Sequence, residues 1–162
     1  MTNKSVVLAG GCFWGLEHLL ANFKGVIDTK AGYVGGQVKD PTYEDVKTGG
    51  SGHAEAVEVT FDSEKLSLRE LLHFFFKIHD PTTINRQGND LGSQYRSAIF
   101  VVNNQDKEVV NEVISEVNSL KTFPSAVVTQ VETLEKFYLA EEFHQDYLIK
   151  NPNGYNCHYI RN

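Results

Sequence analysis

Apolar residues recur along the chain at two spacings, and the switch between them marks its elements. Val6-Val7-Leu8-Ala9 is a continuous apolar run of the kind a buried strand makes. Leu16, Leu19, Leu20 and Phe23 then follow the i, i+3, i+4, i+7 spacing of an amphipathic helix, which Gly25 ends. Residues 26–34 predict a second strand. Glu55 to Phe61 alternates, with Val57, Val59 and Phe61 on one face and Ala56, Glu58 and Thr60 on the other, so Glu55 falls in step with the apolar side. Ser67-Leu68-Arg69-Glu70 is a capping box that opens a helix burying Leu68, Leu71, Leu72 and Phe75 and stopping before Pro81. Tyr95 to Val102 reads as a strand and Val109, Val110, Val113, Ile114 and Val117 as a helix face. Ala126 to Val131 reads as a further strand and residues 140–149 as a last helix. Gly35-Gly36 and Gly49-Gly50-Ser51-Gly52 bracket a loop of about 20 residues, a length that in compact domains marks a functional or a disordered segment. A polar loop covers residues 82–94.

The order strand, helix, strand, strand, helix, strand predicts an α+β fold. Its expected form is a two-layer sandwich, a mixed or antiparallel sheet around a split β-α-β (ferredoxin-like) core with helices packed on the sheet. A chain of 162 residues buries a real core without staples, and no internal repeat divides it. Residues 1–162 are therefore expected to form a single catalytic domain, with 150–162, rich in Asn and Gly, a mobile C-terminal tail.

Composition narrows the partners. Lys and Arg number 15 against 21 Asp and Glu, a formal net charge of −6, which disfavours nucleic acid and anionic membranes. No stretch approaches the roughly 20 apolar residues of a membrane span, and Met1-Thr2-Asn3-Lys4 precedes too short an apolar run for a secretory leader, so a cytoplasmic location is expected. Cys12 and Cys157, the two cysteines, are too few for a secreted scaffold and lack the clustering of a zinc site; if they pair, the pairing is transient.

Candidate chemistry starts at Gly10-Gly11-Cys12-Phe13-Trp14-Gly15, a thiol at a strand-to-helix junction beside two large aromatics. Glycines permit a tight turn, amides at a helix start stabilise a thiolate, and Phe13 with Trp14 offers an apolar pocket for a small greasy group. A helix terminus lowers the thiol pKa by only about one unit, so a coupled proton donor or the substrate must assist. Glu55 is the candidate donor, since burial raises a carboxyl pKa and yields an acid at neutral pH; a strand-end glutamate paired with lysine is the bland alternative. Tyr43 and Tyr95 offer phenolic donors, and Asp90 precedes Tyr95 in the polar loop. His53-Ala54-Glu55 lacks a third ligand at metal-site spacing, and the glycine clusters match neither nucleotide-binding fingerprint.

Four blocks in register carry a family likeness: Gly11-Cys12-Phe13-Trp14-Gly15, Pro41 through Val46, Gly52 through Val57, and Asp90 through Ser97. Together they resemble peptide methionine sulfoxide reductase A, from about Val6 to the tail. The resemblance implies reduction of methionine S-sulfoxide, free or in proteins, with Cys12 as nucleophile, Glu55 as acid, Phe13 and Trp14 holding the S-methyl group, and Tyr43, Asp90 and Tyr95 orienting the sulfoxide oxygen. It implies a sulfenic acid on Cys12, resolved by Cys157 as an intramolecular disulfide. An external dithiol, thioredoxin, or dithiothreitol in vitro, then reduces that disulfide. No metal and no cofactor is implied, and a monomer is expected. Some relatives carry two tail cysteines that relay the disulfide outward; this chain has one. A thiol peroxidase and a non-catalytic peptide-binding module remain as rivals from other classes.

Overall fold

Helical and alternating apolar positions meet on one face of a sheet. A computed structural model describes residues 3–161; Met1, the lone methionine, Thr2 and Asn162 lie outside the described residues. The elements run β1 (Asn3–Gly10), α1 (Phe13–Ala21), β2 (Val26–Val34), α2 (Tyr43–Lys47), β3 (Ala54–Asp62), α3 (Leu68–Phe75), β4 (Arg86–Gln87), β5 (Asp90–Leu91), β6 (Ser97–Val101), α4 (Asn104–Leu120), β7 (Gln130–Thr133), β8 (Phe137–Leu139) and α5 (Tyr147–Lys150). Six strands form a mixed sheet in the order β7-β6-β1-β3-β2-β8, antiparallel throughout except for the parallel β6–β7 pair; β4 and β5 make a separate hairpin.

Alternation sorts the strands' residues into two layers of contact. Val6, Leu8, Val57, Val59, Phe61, Ile99 and Val101 face one way and pack with Leu16 and Leu20 of α1, Leu71 and Phe75 of α3, and Val110, Val113 and Val117 of α4. Val7, Ala9, Ala54, Ala56, Ala98 and Phe100 face the other way, under Leu134 and Phe137. The helices thus share one face. Each fully buried Leu or Phe there contributes about 1.5–3 kcal/mol, so this layer carries most of the stability. No helix among the described residues is long and apolar enough to cross a membrane.

Several boundaries differ from the sequence expectation, each for a local reason. The expected helix over 140–149 is broken: a 3-10 turn spans Glu142–His144, Asp146 is left-handed at φ 52°, and α5 begins only at Tyr147. Glu17 reaches across from α1 to accept the Asp146 N–H at 2.9 Å, which fixes the break. The strand expected over 126–131 lies at Gln130–Thr133, where it pairs with β6 from Ala98 to Val101. Tyr95 closes a 3-10 turn instead of opening β6. The glycine-bracketed loop contains α2, capped by Thr42 and Asp45, and the polar loop contains the β4–β5 hairpin.

Register brings two ends together. Leu8 of β1 pairs with Val57 of antiparallel β3, so the chain leaves β1 toward Cys12 at the level where β3 begins with Ala54 and Glu55.

Candidate active site

α1 starts where β1 ends. Gly11 sits at φ 98°, a conformation glycine enters cheaply, and turns the chain so that Cys12 becomes the N-cap of α1. Cys12 is 8 % exposed. Its pKa lies well above the ordinary thiol range, chiefly through burial, with the charge of Glu55 adding and the Trp14 amide opposing. The modest lowering expected from the helix start is outweighed, because a first-turn amide contributes about 0.3–1 kcal/mol and burying an unpaired ion costs several. Any attack by Cys12 needs assistance within the site.

Glu55 points inward with Val57 and Val59 and is 1 % exposed. Its Oε1 accepts the Phe13 N–H at 3.1 Å, while Oε2 is buried with no protein partner. Burial pushes its pKa up to about 8, the Phe13 amide works against the rise, and the charge of Asp90 adds to it. Relative to an ordinary glutamate that gap is on the order of 5 kcal/mol, so the carboxyl holds its proton at neutral pH. The site therefore pairs a neutral thiol with a neutral acid.

The other expected residues surround this pair. The phenols of Tyr43 and Tyr95 are pushed up by burial and then by the charge of Glu55, Tyr43 to about 12, and both also sense Cys12 and Asp90. Phe13 is fully buried, its ring 5.7 Å from Tyr33, 6.5 Å from Tyr43 and 5.0 Å from His144. Trp14 is half-buried and stacks on Tyr147 at 3.8 Å with ring planes 8° apart. Cys157 donates from Sγ to Asp90 Oδ2 at 3.6 Å, and its charge is felt at Cys12. Both cysteines are free thiols.

Three groups that no local motif announced complete the surround. Glu141 accepts the Tyr33 hydroxyl at 2.8 Å and the Tyr43 N–H at 2.9 Å, tying α2 to β2. His144, fully buried, accepts the Trp14 indole N–H on Nδ1 at 2.9 Å, which leaves its proton on Nε2, a buried atom with no protein partner. His158 donates from Nε2 to the Gly10 carbonyl at 2.7 Å and anchors the C-terminal segment beside Cys12. None of the three stands in a periodic apolar pattern, the only signal a histidine or glutamate so placed could have left. His53, by contrast, is structural: its Nδ1 accepts the Gly36 N–H and its Nε2 donates to Val38 O.

A groove of about 500 Å³ lined by Arg96, Phe100, Lys107, Gln130, Glu132 and Lys136 lies on the sheet's other side and includes none of these residues. The chemistry concentrates instead where β1, β3 and α1 meet: a thiol, a protonated carboxyl, two phenols and aromatic walls. That set can attack an electrophilic atom next to a small apolar group and protonate the atom that departs.

The chain is similar to known proteins over nearly its whole length. The family model described as peptide methionine sulfoxide reductase matches residues 4–162. A Rhodopirellula baltica protein named peptide methionine sulfoxide reductase MsrA 2 is 50% identical over 161 residues, 99% of this chain and 93% of its own. The crystal structure of Mxr1 from Saccharomyces cerevisiae in reduced form superposes with a TM-score of 0.94 at 40% identity, over 99% of this chain and 93% of that one. Mxr1 in complex with Trx2 superposes at 0.67 and 28% identity, over 99% and 91%. With the match running nearly end to end in both sequence and structure, the chain belongs to the peptide methionine sulfoxide reductase family.

Proposed function

We propose that this reductase returns methionine S-sulfoxide, free or in proteins, to methionine through Cys12 and Glu55. The observation that carries the reading is the buried Glu55 carboxyl, held at Oε1 by the Phe13 N–H with Oε2 free, at the helix start that bears the thiol. Burial, which pushes its pKa up to about 8, keeps it an acid at neutral pH. Cys12 attacks the sulfoxide sulfur. Negative charge gathers on the oxygen, and Glu55 supplies the proton that this charge demands. The thiol proton of Cys12 passes to the Glu55 carboxylate as the acid proton goes to the oxygen, which restores Glu55. The oxygen stays on Cys12 as a sulfenic acid and methionine leaves, the substrate sulfur reduced and Cys12 oxidised by the same two electrons. Attack and protonation are coupled, which removes the need for a preformed thiolate. Phe13 and Trp14 wall the methyl group, Trp14 held by His144 and Tyr147, and Tyr43, Tyr95 and Asp90 direct the oxygen.

Cys157 then displaces hydroxide from the sulfenic acid to give the Cys12–Cys157 disulfide. Thioredoxin, or dithiothreitol in vitro, reduces it; the Mxr1 complex with Trx2 supports that partner. Within this reading residues 1–162 are one catalytic domain acting as a cytoplasmic monomer without a bound cofactor. The tail expected to be mobile over 150–162 then moves, residues 156–161 leaving the docked position they hold beside Cys12 and Lys77. The four strands β6-β1-β3-β2, antiparallel and linked through α1 and α3, are read as its split β-α-β core.

The test is reduction of each enantiomer of methyl p-tolyl sulfoxide with dithiothreitol. One enantiomer is consumed by the wild type and neither by Cys12→Ser; turnover retained in Cys12→Ser ends the proposal.

A further inference from the structure

The C-terminal segment presents a histidine whose tautomer is fixed by its neighbours. His158 Nε2 lies 2.7 Å from the Gly10 carbonyl, an acceptor only, so Nε2 carries the ring proton. Its Nδ1 is then a free lone pair, and the group facing it is the Cys157 thiol at 3.7 Å. The ring cannot turn away. His158 is nearly buried, and its own N–H is tied to Asn156 Oδ1 at 2.9 Å. A Cβ added at Gly11 would stand 3.2 Å from its Cε1, and one at Gly15 would stand 2.7 Å from its Nδ1. The glycines on either side of Cys12 thus leave room for this imidazole to lie against the catalytic turn.

We propose that His158 is the general base of the disulfide-forming step, taking the proton of Cys157 as its sulfur attacks the sulfenic acid on Cys12. The inference rests on the reading of Cys157 as the resolving thiol. The step balances: the Cys157 S–H bond breaks toward Nδ1, the S–S bond forms, the Cys12 S–O bond breaks, and hydroxide leaves to take the proton back from the imidazolium as water. Cys12 is reduced from sulfenic acid as Cys157 is oxidised, with no outside electrons.

Asp90 Oδ2, at 3.6 Å, is the other acceptor of the thiol. An ordinary imidazole is the stronger base by about two to three powers of ten. Burial narrows that margin at His158 and the Asp90 charge works against the narrowing by steadying the imidazolium, so the proton moves to the nitrogen. The remaining groups that face His158 are Arg161 from its own segment and His79 from beyond α3. Burial lowers the His158 pKa below that of an ordinary histidine, which favours the neutral ring a base requires.

Single-turnover reactions with one equivalent of methionine S-sulfoxide from pH 5 to 9 separate methionine release from disulfide formation. Disulfide is read by mass after acid quench and alkylation, and sulfenic acid by trapping with dimedone. In the wild type the disulfide step falls only below a pKa lower than an ordinary histidine's. In His158→Gln, whose amide can still donate to Gly10, the step at pH 7 slows at least about 100-fold relative to methionine release. Dimedone adduct then accumulates, and the rate climbs with pH as hydroxide replaces the base. Disulfide formation in His158→Gln within threefold of wild type and with the same pH profile overturns the assignment. So does a wild-type profile that keeps rising to a thiol-like pKa above 8, a result that needs no variant to fold. A wild type that forms no Cys12–Cys157 disulfide sinks the resolving role of Cys157 instead.

Discussion

The amide of Phe13 holds one oxygen of Glu55 at 3.1 Å and leaves the other bare. The residue after the proposed nucleophile therefore positions the proposed acid, and one backbone turn sets the distance between the two. Glu55→Gln keeps an acceptor for Phe13 but has no proton to give. We expect methionine release in a single turnover to slow by about 10²–10⁴-fold with the fold intact, as rapid-quench chromatography and circular dichroism would report. An unchanged rate would remove Glu55 as the acid.

Because the carboxyl must be protonated to act, the chemical step should decline as pH rises through about 8. Single-turnover rates between pH 6 and 10 test this. A rate that climbs across that range, following thiol ionisation, contradicts the coupled mechanism.

Stability should follow pH in the same sense. Burial holds Glu17 at about 7 and Glu55 at about 8, so the folded chain keeps protons that unfolded glutamates release above about pH 4.3. The stability tied to these neutral forms is complete at low pH and is lost as pH rises through 7 and 8. Urea midpoints are expected to fall from pH 5.5 to pH 9 in the wild type and to fall less in Glu17→Gln and in Glu55→Gln. A midpoint that rises over this range would contradict both assignments.

Much of this arrangement is legible in the residues themselves. The two-residue period over 55–61 aims Glu55 inward, the Ser67 and Glu70 box opens α3, and Gly-Gly-Cys marks the turn into α1. What escaped is what distant residues decide. Asp146 breaks the last helix because Glu17, on another helix, claims its N–H. Glu141 and His144 become part of the site only because β8 returns the chain to β2, pairing Tyr138 with Tyr33. The thiol's raised pKa likewise reflects enclosure by the whole fold, which a helix start alone does not foretell.

Trp14 owes its orientation to two partners, the His144 lone pair and the Tyr147 ring. Removing the indole in Trp14→Ala strips the proposed methyl pocket of its half-buried wall. KM for the sulfoxide should rise about 10-fold or more, since an aromatic contact of this kind contributes about 0.5–1.5 kcal/mol beyond its buried area. Steady-state kinetics that leave KM unaltered would place the methyl group elsewhere.

Gly15 lies inside α1, where alanine ordinarily gains about 1 kcal/mol of helix stability. Here a Cβ would stand 2.4 Å from Asn156 Oδ1. Gly15→Ala should loosen the C-terminal segment, raising amide exchange at residues 155–161 and slowing disulfide formation. Unchanged exchange there would mean that the segment tolerates the intrusion.

At both margins the sheet ends in very short strands, four residues in β7 and three in β8. Such margins give an incoming strand few unpaired backbone groups to bind. Short margins of this kind guard the sheet against edge-to-edge pairing with a second copy of the chain.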